Sequence, residues 1–329
     1  MKLAIVILNW NGQQLLKQFL PSVIQHSKGA DIYVADNAST DDSVRFIKTH
    51  YPDISIIQNQ ENGGYTKGYN DALKHVEADV YCLLNSDIEV TANWLTPIVD
   101  TFHTEANTAI IQPKILDYNN KDYFEYAGAA GGFIDKYGYP YCRGRLFNTL
   151  EKDHGQYNDT TDIFWASGAC LFIKSSVFKT LNGFDPHFFA HMEEIDLCWR
   201  AKNLGHTITY VGQSEVYHVG GATLKDTNPR KTFLNFRNSL LTLTKNAHGF
   251  ILGKIFTRLV LDGIAAIKFL LEGKPKHMLA ILKAHFSFYA HLRPALKHRK
   301  TTKNKVPYYT RASIVWDYFV NKKTKYHSL

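Results

Sequence analysis

Apolar residues along the first ninety positions recur with two alternating periods. Leu3–Leu8 is an unbroken apolar run, the length of a strand buried on both faces. Residues 13–26 then set Leu15, Leu16, Phe19, Leu20, Val23 and Ile24 on one helical face. Ile32–Ala35 reads as a second strand, and Asp41–Thr49 as a helix with Val44 and Ile47 inward and Ser39 or Thr40 as its cap. Ile54–Ile57 is a third strand. The loop Glu61-Asn62-Gly63-Gly64 leads into a helix reaching about Val76, and Val80–Leu84 is a fourth strand. Strands alternating with helices through short loops predict βαβ units around a mostly parallel sheet with flanking helices. Ligands on such sheets gather beyond the carboxyl ends of the strands.

Residues 91–240 are less regular. A helix is expected near Trp94–Phe102, then a Gly- and Tyr-rich stretch from Tyr126 to Arg145. Ile163–Ile173 reads as a strand with Ser167-Gly168 at its middle, Phe184–Leu204 as a loop and helix, and Ile208–Val211 as a further strand. From Phe233 onward the period is helical, with long apolar faces and basic interruptions. There are no internal repeats.

The length, 329 residues, fits about two domains. Four widely spaced cysteines suit a reducing, cytosolic setting better than a disulfide framework or a Cys-rich zinc site. The net charge of +8 is unevenly spread: residues 245–329 hold 17 Lys or Arg against 3 Asp or Glu, a net of +14, leaving −6 for residues 1–244. The basic quarter is therefore expected to face an anionic partner. The apolar start ends at Asn9-Trp10-Asn11-Gly12 without a small-residue cleavage site, so it reads as a strand and not a signal peptide. Phe250–Leu271 is interrupted by Lys254, Arg258, Asp262 and Lys268, which argues against a membrane span. Leu252, Ile255, Phe256, Leu259 and Val260 approximate one helical face with Lys254 and Arg258 alongside, which suits peripheral contact with an anionic membrane. The alternative is a helical layer packed on the rest of the chain with its basic face in solvent.

No GxGxxG follows the first strand and no GxxxxGK[ST] is present, which disfavours dinucleotide and P-loop folds. Asp36, just past the second strand, can accept hydrogen bonds from a pyrimidine N–H or a ribose hydroxyl, or can hold the turn to the next helix. Asn85-Ser86-Asp87-Ile88-Glu89 closes the fourth strand. If the chain stays extended, Asp87 and Glu89 point to one side, where Mg²⁺ or Mn²⁺ would relieve their repulsion; otherwise this is a solvated acidic turn. His191-Met192-Glu193-Glu194-Ile195-Asp196 is an acidic cluster suited to a helix N-terminus, and also to a carboxylate base. Asp196 can instead hold an arginine. His218 follows a strand and is either a metal ligand or structural, while Lys114, Arg143, Arg145, Lys225 and Arg237 are the cations that can meet phosphate.

Taken together, IVILNWNG (5–12), VADNASTDDS (34–43), NGGYTKGYN (62–70), LLNSDIEV (83–90), SGACLFIK (167–174), FDPHFFAHMEEIDLCWRAKNLG (184–205) and HVGG (218–221) resemble the family 2 glycosyltransferases of GT-A fold, especially the bacterial rhamnosyltransferase-like subgroup. The resemblance implies a GT-A catalytic domain over 1–245, with a nucleotide-sugar half (1–90) and an acceptor half (91–245), followed by a basic helical extension over 246–329. It implies donor contacts from Asn9, Asp36, Asn62, Gly63, Lys67, Asn85, Ser86 and Asp87, and a Mn²⁺ or Mg²⁺ ion held by Asp87 and His218, with Glu89 as a further ligand. Position 85 is Asn where the family's metal motif has Asp, so Asp87 carries most of that task. The family's Glu-Asp pair reads Glu193-Glu194, which makes Glu194 the expected base and Glu193 the alternative. Trp165, Arg143, Asp196 and Arg237 are the candidate acceptor or phosphate contacts.

The activity so implied is inverting transfer of a sugar from a UDP- or dTDP-sugar to a hydroxyl of a glycan or lipid-linked glycan, in the cytoplasm or at the inner face of its membrane. Competing expectations are a nucleotidyltransferase, which would need a Gly-rich phosphate loop after the first strand, a nucleic-acid-binding protein drawn by the basic tail, and an inactive homologue serving as a scaffold. The acidic first 244 residues argue against nucleic acid as a partner, and Asp36, Asp87, Glu194 and His218 together argue against the scaffold.

Overall fold

The computed structural model describes residues 1–220, 228–301 and 306–329. Its first half is β1 (Leu3–Asn9), α1 (Gln13–His26), β2 (Asp31–Asp36), α2 (Ser43–His50), β3 (Ser55–Gln58), α3 (Gly64–Ala72) and β4 (Val80–Asn85). Then come β5 (Ile88–Val90), α4 (Thr96–Thr104) and β6 (Thr108–Asp117). Four short strands follow: β7 (Gly132–Ile134), β8 (Pro140–Cys142), β9 (Arg145–Leu146) and β10 (Thr149–Leu150). The sheet is completed by β11 (Thr160–Asp162), β12 (Cys170–Lys174) and β13 (Thr207–His218), with α5 (Ser175–Thr180) and α6 (Glu193–Asn203) between the last two. The helices α7 (Pro229–Asn246), α8 (Ile251–Leu271), α9 (Pro275–Thr301) and α10 (Ile314–Phe319) end the chain.

The central sheet runs β11-β13-β6-β12-β4-β1-β2-β3, with β5 paired to β13. From β4 to β3 every pairing is parallel, as the βαβ pattern predicts. Beyond β4 the sheet is mixed: β12 lies antiparallel between β4 and β6, and β13 runs parallel to β6. Two reversals restore the original direction, so β13 ends at the same edge as β1, β2 and β4. Successive side chains of β1 enter opposite cores. Ala4 and Val6 pack with Tyr69, Phe184 and Trp199 on one face, while Leu3, Ile5 and Ile7 pack with Leu16, Leu20 and Trp94 on the other. The short strands β7–β10 form a separate antiparallel sheet.

Four expectations are corrected. The strand anticipated over 163–173 is confined to Cys170–Lys174, because the chain before it is held by other bonds: the Ser167 amide donates to Gln112 Oε1 (2.8 Å) and its hydroxyl to the Ala127 carbonyl. The strand over 208–211 extends from Thr207 to His218 through an irregularity between Val211 and Glu215. Neither Ser39 nor Thr40 caps α2; Asp42 occupies that position without a side-chain cap. The fourth correction concerns α8. Lys254 and Arg258 face inward, where Lys254 donates to Tyr308 (2.7 Å) and Arg258 bonds Asp262 (2.9 Å) above the Tyr139 ring (3.8 Å). Asp262 is fully buried and also accepts from Tyr139 (2.8 Å), so the extension is pinned to the rest of the chain through ions. The expected basic face is thus the packed face.

Candidate active site

Two strand ends meet at the common edge of the sheet. The register of β5 on β13 pairs His218 with Ile88, which brings the preceding Asp87 beside the imidazole. His218 Nε2 lies 3.1 Å from Asp87 Oδ1, and its Nδ1 lies 3.4 Å from Glu125 Oε1. All three side chains are buried. Burial would lower the imidazole's pKa, but the Glu125 and Asp87 carboxylates outweigh it and push it up to about 10. Burial would likewise raise the Asp87 carboxyl, and the neighbouring imidazolium holds it below its ordinary value instead. Asn85 Nδ2 approaches His218 Nε2 at 3.4 Å. Gly220 adopts φ +70°, and a Cβ there would stand 2.8 Å from Glu125 Oε1, so the backbone closes over the carboxylate only with glycine. Glu89 is not part of this group: its carboxylate pairs with Lys121. The turn at 86–87 breaks the extended geometry that would have aligned it with Asp87.

The ends of β1 and β2 form the adjoining wall. Asp36 is buried and accepts from Asn9 Nδ2 (3.1 Å) and the Ser39 amide (3.0 Å), so it also holds its turn. The other atom of the Asn9 amide, Oδ1, is buried without a partner, and Gly12 lies against it. Asn62 accepts from the Gly64 amide (3.0 Å) and from Asn37 Nδ2 (3.0 Å), which fixes the Asn62-Gly63 turn against β2. Lys67 arches over Gly63, but its ammonium is engaged by Asp71 and by Glu61 (3.5 Å).

The Glu193-Glu194 pair opens α6 after a strained turn. Phe189, His191 and Met192 all have positive φ (64°, 68° and 72°), unusual for residues with side chains. The turn is held from outside. Asn238 of α7 donates to the carbonyls of Phe188 (3.0 Å), Ala190 (3.0 Å) and His191 (2.8 Å), and Arg237 donates to His187 (2.8 Å). The Phe189 carbonyl accepts the Thr66 amide (3.2 Å), and a Cβ on Gly64 would sit 2.5 Å from it. The NGGY segment and the acidic turn are therefore in direct contact. One carboxylate oxygen on each of Glu193 and Glu194 is buried without a hydrogen-bond partner. Burial pushes the Glu194 carboxyl up to about 7, and burial with the neighbouring Glu194 charge pushes Glu193 well above its ordinary range.

Several candidates lie elsewhere. The Trp165 indole is buried against Gly132, with its N–H donated to the Phe133 carbonyl (2.9 Å). Arg143 pairs with Asp159 and stacks on Tyr157 and Tyr210. Lys114 is bound to Asp153 (2.8 Å). Asp196 joins Arg200 (2.8 Å), Lys245 (2.9 Å) and Asn246 (2.8 Å), locking α6 to α7. Arg237 is spent on the turn. Lys225 and Gly221 lie outside the described residues. Arg145 is buried with its guanidinium over the Tyr126 ring (4.7 Å) and one N–H on Cys142 Sγ (3.4 Å), and its Nε has no partner. Glu125 and Asn238 were not singled out in the sequence; neither sits in a motif, and only the fold brings them here.

A divalent ion fits this donor set. One carboxylate oxygen and one imidazole nitrogen converge, with Glu125 3.4 Å behind Nδ1, so Asp87 and Nε2 are the atoms that would hold such an ion. The nitrogen ligand suits Mn²⁺ better than Mg²⁺. Among the described residues no group of three or more His, Cys, Asp or Glu is placed to hold a metal ion by itself, so Asp87 and His218 would need water or a ligand's oxygens to complete the site.

An α/β sheet with a carboxylate–imidazole pair at its carboxyl edge, and an acidic helix start whose preceding turn packs on the NGGY segment, matches a GT-A type sugar transferase. The chain belongs to glycosyl transferase family 2, whose model matches residues 4–181. It is 26% identical over 248 residues to the low-salt glycan biosynthesis hexosyltransferase Agl10 of Haloferax volcanii, covering 73% of this chain and 74% of that one. It is 24% identical over 232 residues to the N-acetylglucosaminyl-diphospho-decaprenol L-rhamnosyltransferase of Mycobacterium tuberculosis, covering 66% and 75%. Its fold resembles GalNAc-T7 solved with UDP, GalNAc and Mn²⁺ (TM-score 0.61, 15% identity, 98% of this chain and 57% of that one). It also resembles the Pyrobaculum calidifontis mannosyltransferase PcManGT in complex with GDP-Man and Mn²⁺ (TM-score 0.52, 12% identity, 92% and 88%).

Proposed function

We propose that this chain transfers a sugar from a UDP- or dTDP-sugar to a hydroxyl of a glycan or lipid-linked glycan, with inversion at the anomeric carbon, and that it is of the rhamnosyltransferase-like kind. The observation that carries the reading is the 3.1 Å approach of Asp87 to His218, backed by Glu125. Asn9, Asp36, Asn62, Gly63 and Ser86 bind the nucleoside, the orphaned Asn9 Oδ1 supplying an acceptor for one of its N–H or O–H groups. Asp87 and His218 hold Mn²⁺ or Mg²⁺, which when bound neutralises charge developing on the diphosphate leaving group. Arg145, buried over the ring of Tyr126 next in sequence to Glu125, adds a fixed cation.

Glu194 removes the proton from the acceptor hydroxyl as its oxygen attacks the anomeric carbon from the face opposite the diphosphate. A carboxyl poised near 7 is ionised enough at neutral pH and still basic enough for that task, whereas Glu193 is more deeply buried, and burial with the neighbouring Glu194 charge pushes its carboxyl well above the ordinary range. The name of the mycobacterial relative specifies a diphospho-decaprenol acceptor for that protein. This supports a lipid-linked acceptor here, met at the cytoplasmic face of a membrane. The test is a transfer and hydrolysis screen of UDP-, dTDP- and GDP-sugars with and without Mn²⁺, repeated with Asp87→Ala. Loss of metal-stimulated turnover in a folded variant supports the reading; full retention refutes it.

A further inference from the structure

The inward turn of the α8 cations leaves an unexpected outer surface. Leu252, Phe256, Val260, Ile264, Ile267 and Leu271 recur at helical spacing and are 49–83% exposed. On α9, Leu279, Leu282, Phe286 and Tyr289 do the same, Phe286 being 74% exposed. Both helices turn their opposite faces to α7, where Leu240, Leu241, Ile255, Phe288 and Ala295 form a shared core. Two adjacent apolar rows of this size are not ordinary surface. Among the described residues no helix is long and apolar enough to cross a membrane, so the rows are not a spanning segment.

Charge says what covers them. Residues 246–301 contain only two acids, Asp262 and Glu272, and Asp262 is fully buried. Lys268, Lys276, Lys283, Arg293 and Lys297 are exposed around the rows. At one side Arg230, Lys276 and Lys283 line an open cavity of about 470 Å³ between α7 and α9, together with Phe233 and Leu279. Apolar rows with a cationic rim match an anionic lipid bilayer, whose headgroups meet the lysines as the side chains enter the acyl boundary. The cavity also points toward the chemistry: Arg230 stacks on the ring of Phe189 (4.6 Å), in the turn that presents Glu193 and Glu194.

We propose that the outer face of α8 and α9 docks this protein on anionic membrane by inserting its apolar rows, with the Arg230–Lys276–Lys283 cavity at the headgroup level. For its purpose this rests on the lipid-linked acceptor reading, but binding is measured apart from transfer. The full chain is floated with vesicles of phosphatidylethanolamine and phosphatidylglycerol, and with vesicles of phosphatidylcholine alone. Wild type is expected to float with the anionic vesicles, and Phe256→Ser/Phe286→Ser and Lys276→Glu/Lys283→Glu each to lower that affinity by about tenfold or more. The Phe256→Ser/Phe286→Ser variant keeps wild-type turnover of the donor sugar with a short soluble acceptor. Equal flotation of wild type and both variants overturns the proposal, as does equal binding to phosphatidylcholine. So does a solution dimer that the serine variant dissociates and that ignores vesicles. Wild-type protein that floats with the anionic vesicles as expected but turns over no donor sugar would instead strike the catalytic reading.

Discussion

Glu194→Gln should disable transfer and, at alkaline pH, stabilise the protein. A free glutamate titrates near 4.3, whereas burial holds Glu194 near 7. Between those values the folded chain keeps a proton that the unfolded chain has released, so stability falls as pH rises through that window, and the full cost is present above it. At about 1.4 kcal/mol per unit, the gap corresponds to roughly 3–4 kcal/mol for an isolated group. The side chain is only half-buried and shares its site with Glu193, so water screening leaves about 2 kcal/mol. Glutamine fills nearly the same space without ionising. Thermal melts of both proteins at about pH 5 and pH 8.5 should show a Tm gain of about 3 °C for the variant at the higher pH, shrinking towards the lower one. Its transfer rate should drop by about 10²–10⁴-fold, and wild-type transfer should climb with pH to a plateau above about 7. A Tm difference independent of pH, or retained transfer, would refute the reasoning.

Other outcomes follow from the same contacts. Asn238→Ala removes three hydrogen bonds from the strained turn before α6 and should lower kcat more than it raises the donor KM, since it acts through the placement of Glu194; an unchanged kcat in steady-state kinetics would count against this. Gly220→Ala puts a methyl against Glu125 at a positive φ and should weaken Mn²⁺ activation, read as a higher metal concentration for half-maximal turnover. Asp262→Ala strands the buried Arg258 guanidinium and should cost about 3–5 kcal/mol of stability, whereas Arg258→Met/Asp262→Leu should cost far less; denaturant melts separate the two.

How much of this was legible depended on whether each element's constraint is local. The strands and helices of the first ninety residues follow their own hydrophobic periods because both faces of β1 and β4 are buried, and Asp36, Asp87, Glu194 and His218 stand at element ends that such periods locate. The face of α8 was misread because its cations find partners far away in sequence: Arg258 bonds the Tyr137 carbonyl, and Lys254 bonds Tyr308. Glu125 was missed because a lone acid in a Tyr- and Ala-rich stretch gains meaning only once β6 and β13 pair and bring His218 to it. Arg143 and Trp165 show the reverse error. Chemistry suited to phosphate or sugar is consumed by Asp159 and by the Phe133 carbonyl, and no local pattern announces that.

Transfer as proposed requires a divalent ion held by Asp87 and His218 when the donor's diphosphate is present. A crystal of the chain grown with Mn²⁺ and UDP or dTDP, recorded at the manganese absorption edge, addresses this directly. An anomalous peak in coordinating contact with an Asp87 carboxylate oxygen and His218 Nε2, touching the diphosphate, is predicted. A diphosphate bound in the pocket with manganese at another place, or with the Asp87–His218 contact unbroken and metal-free, would contradict it.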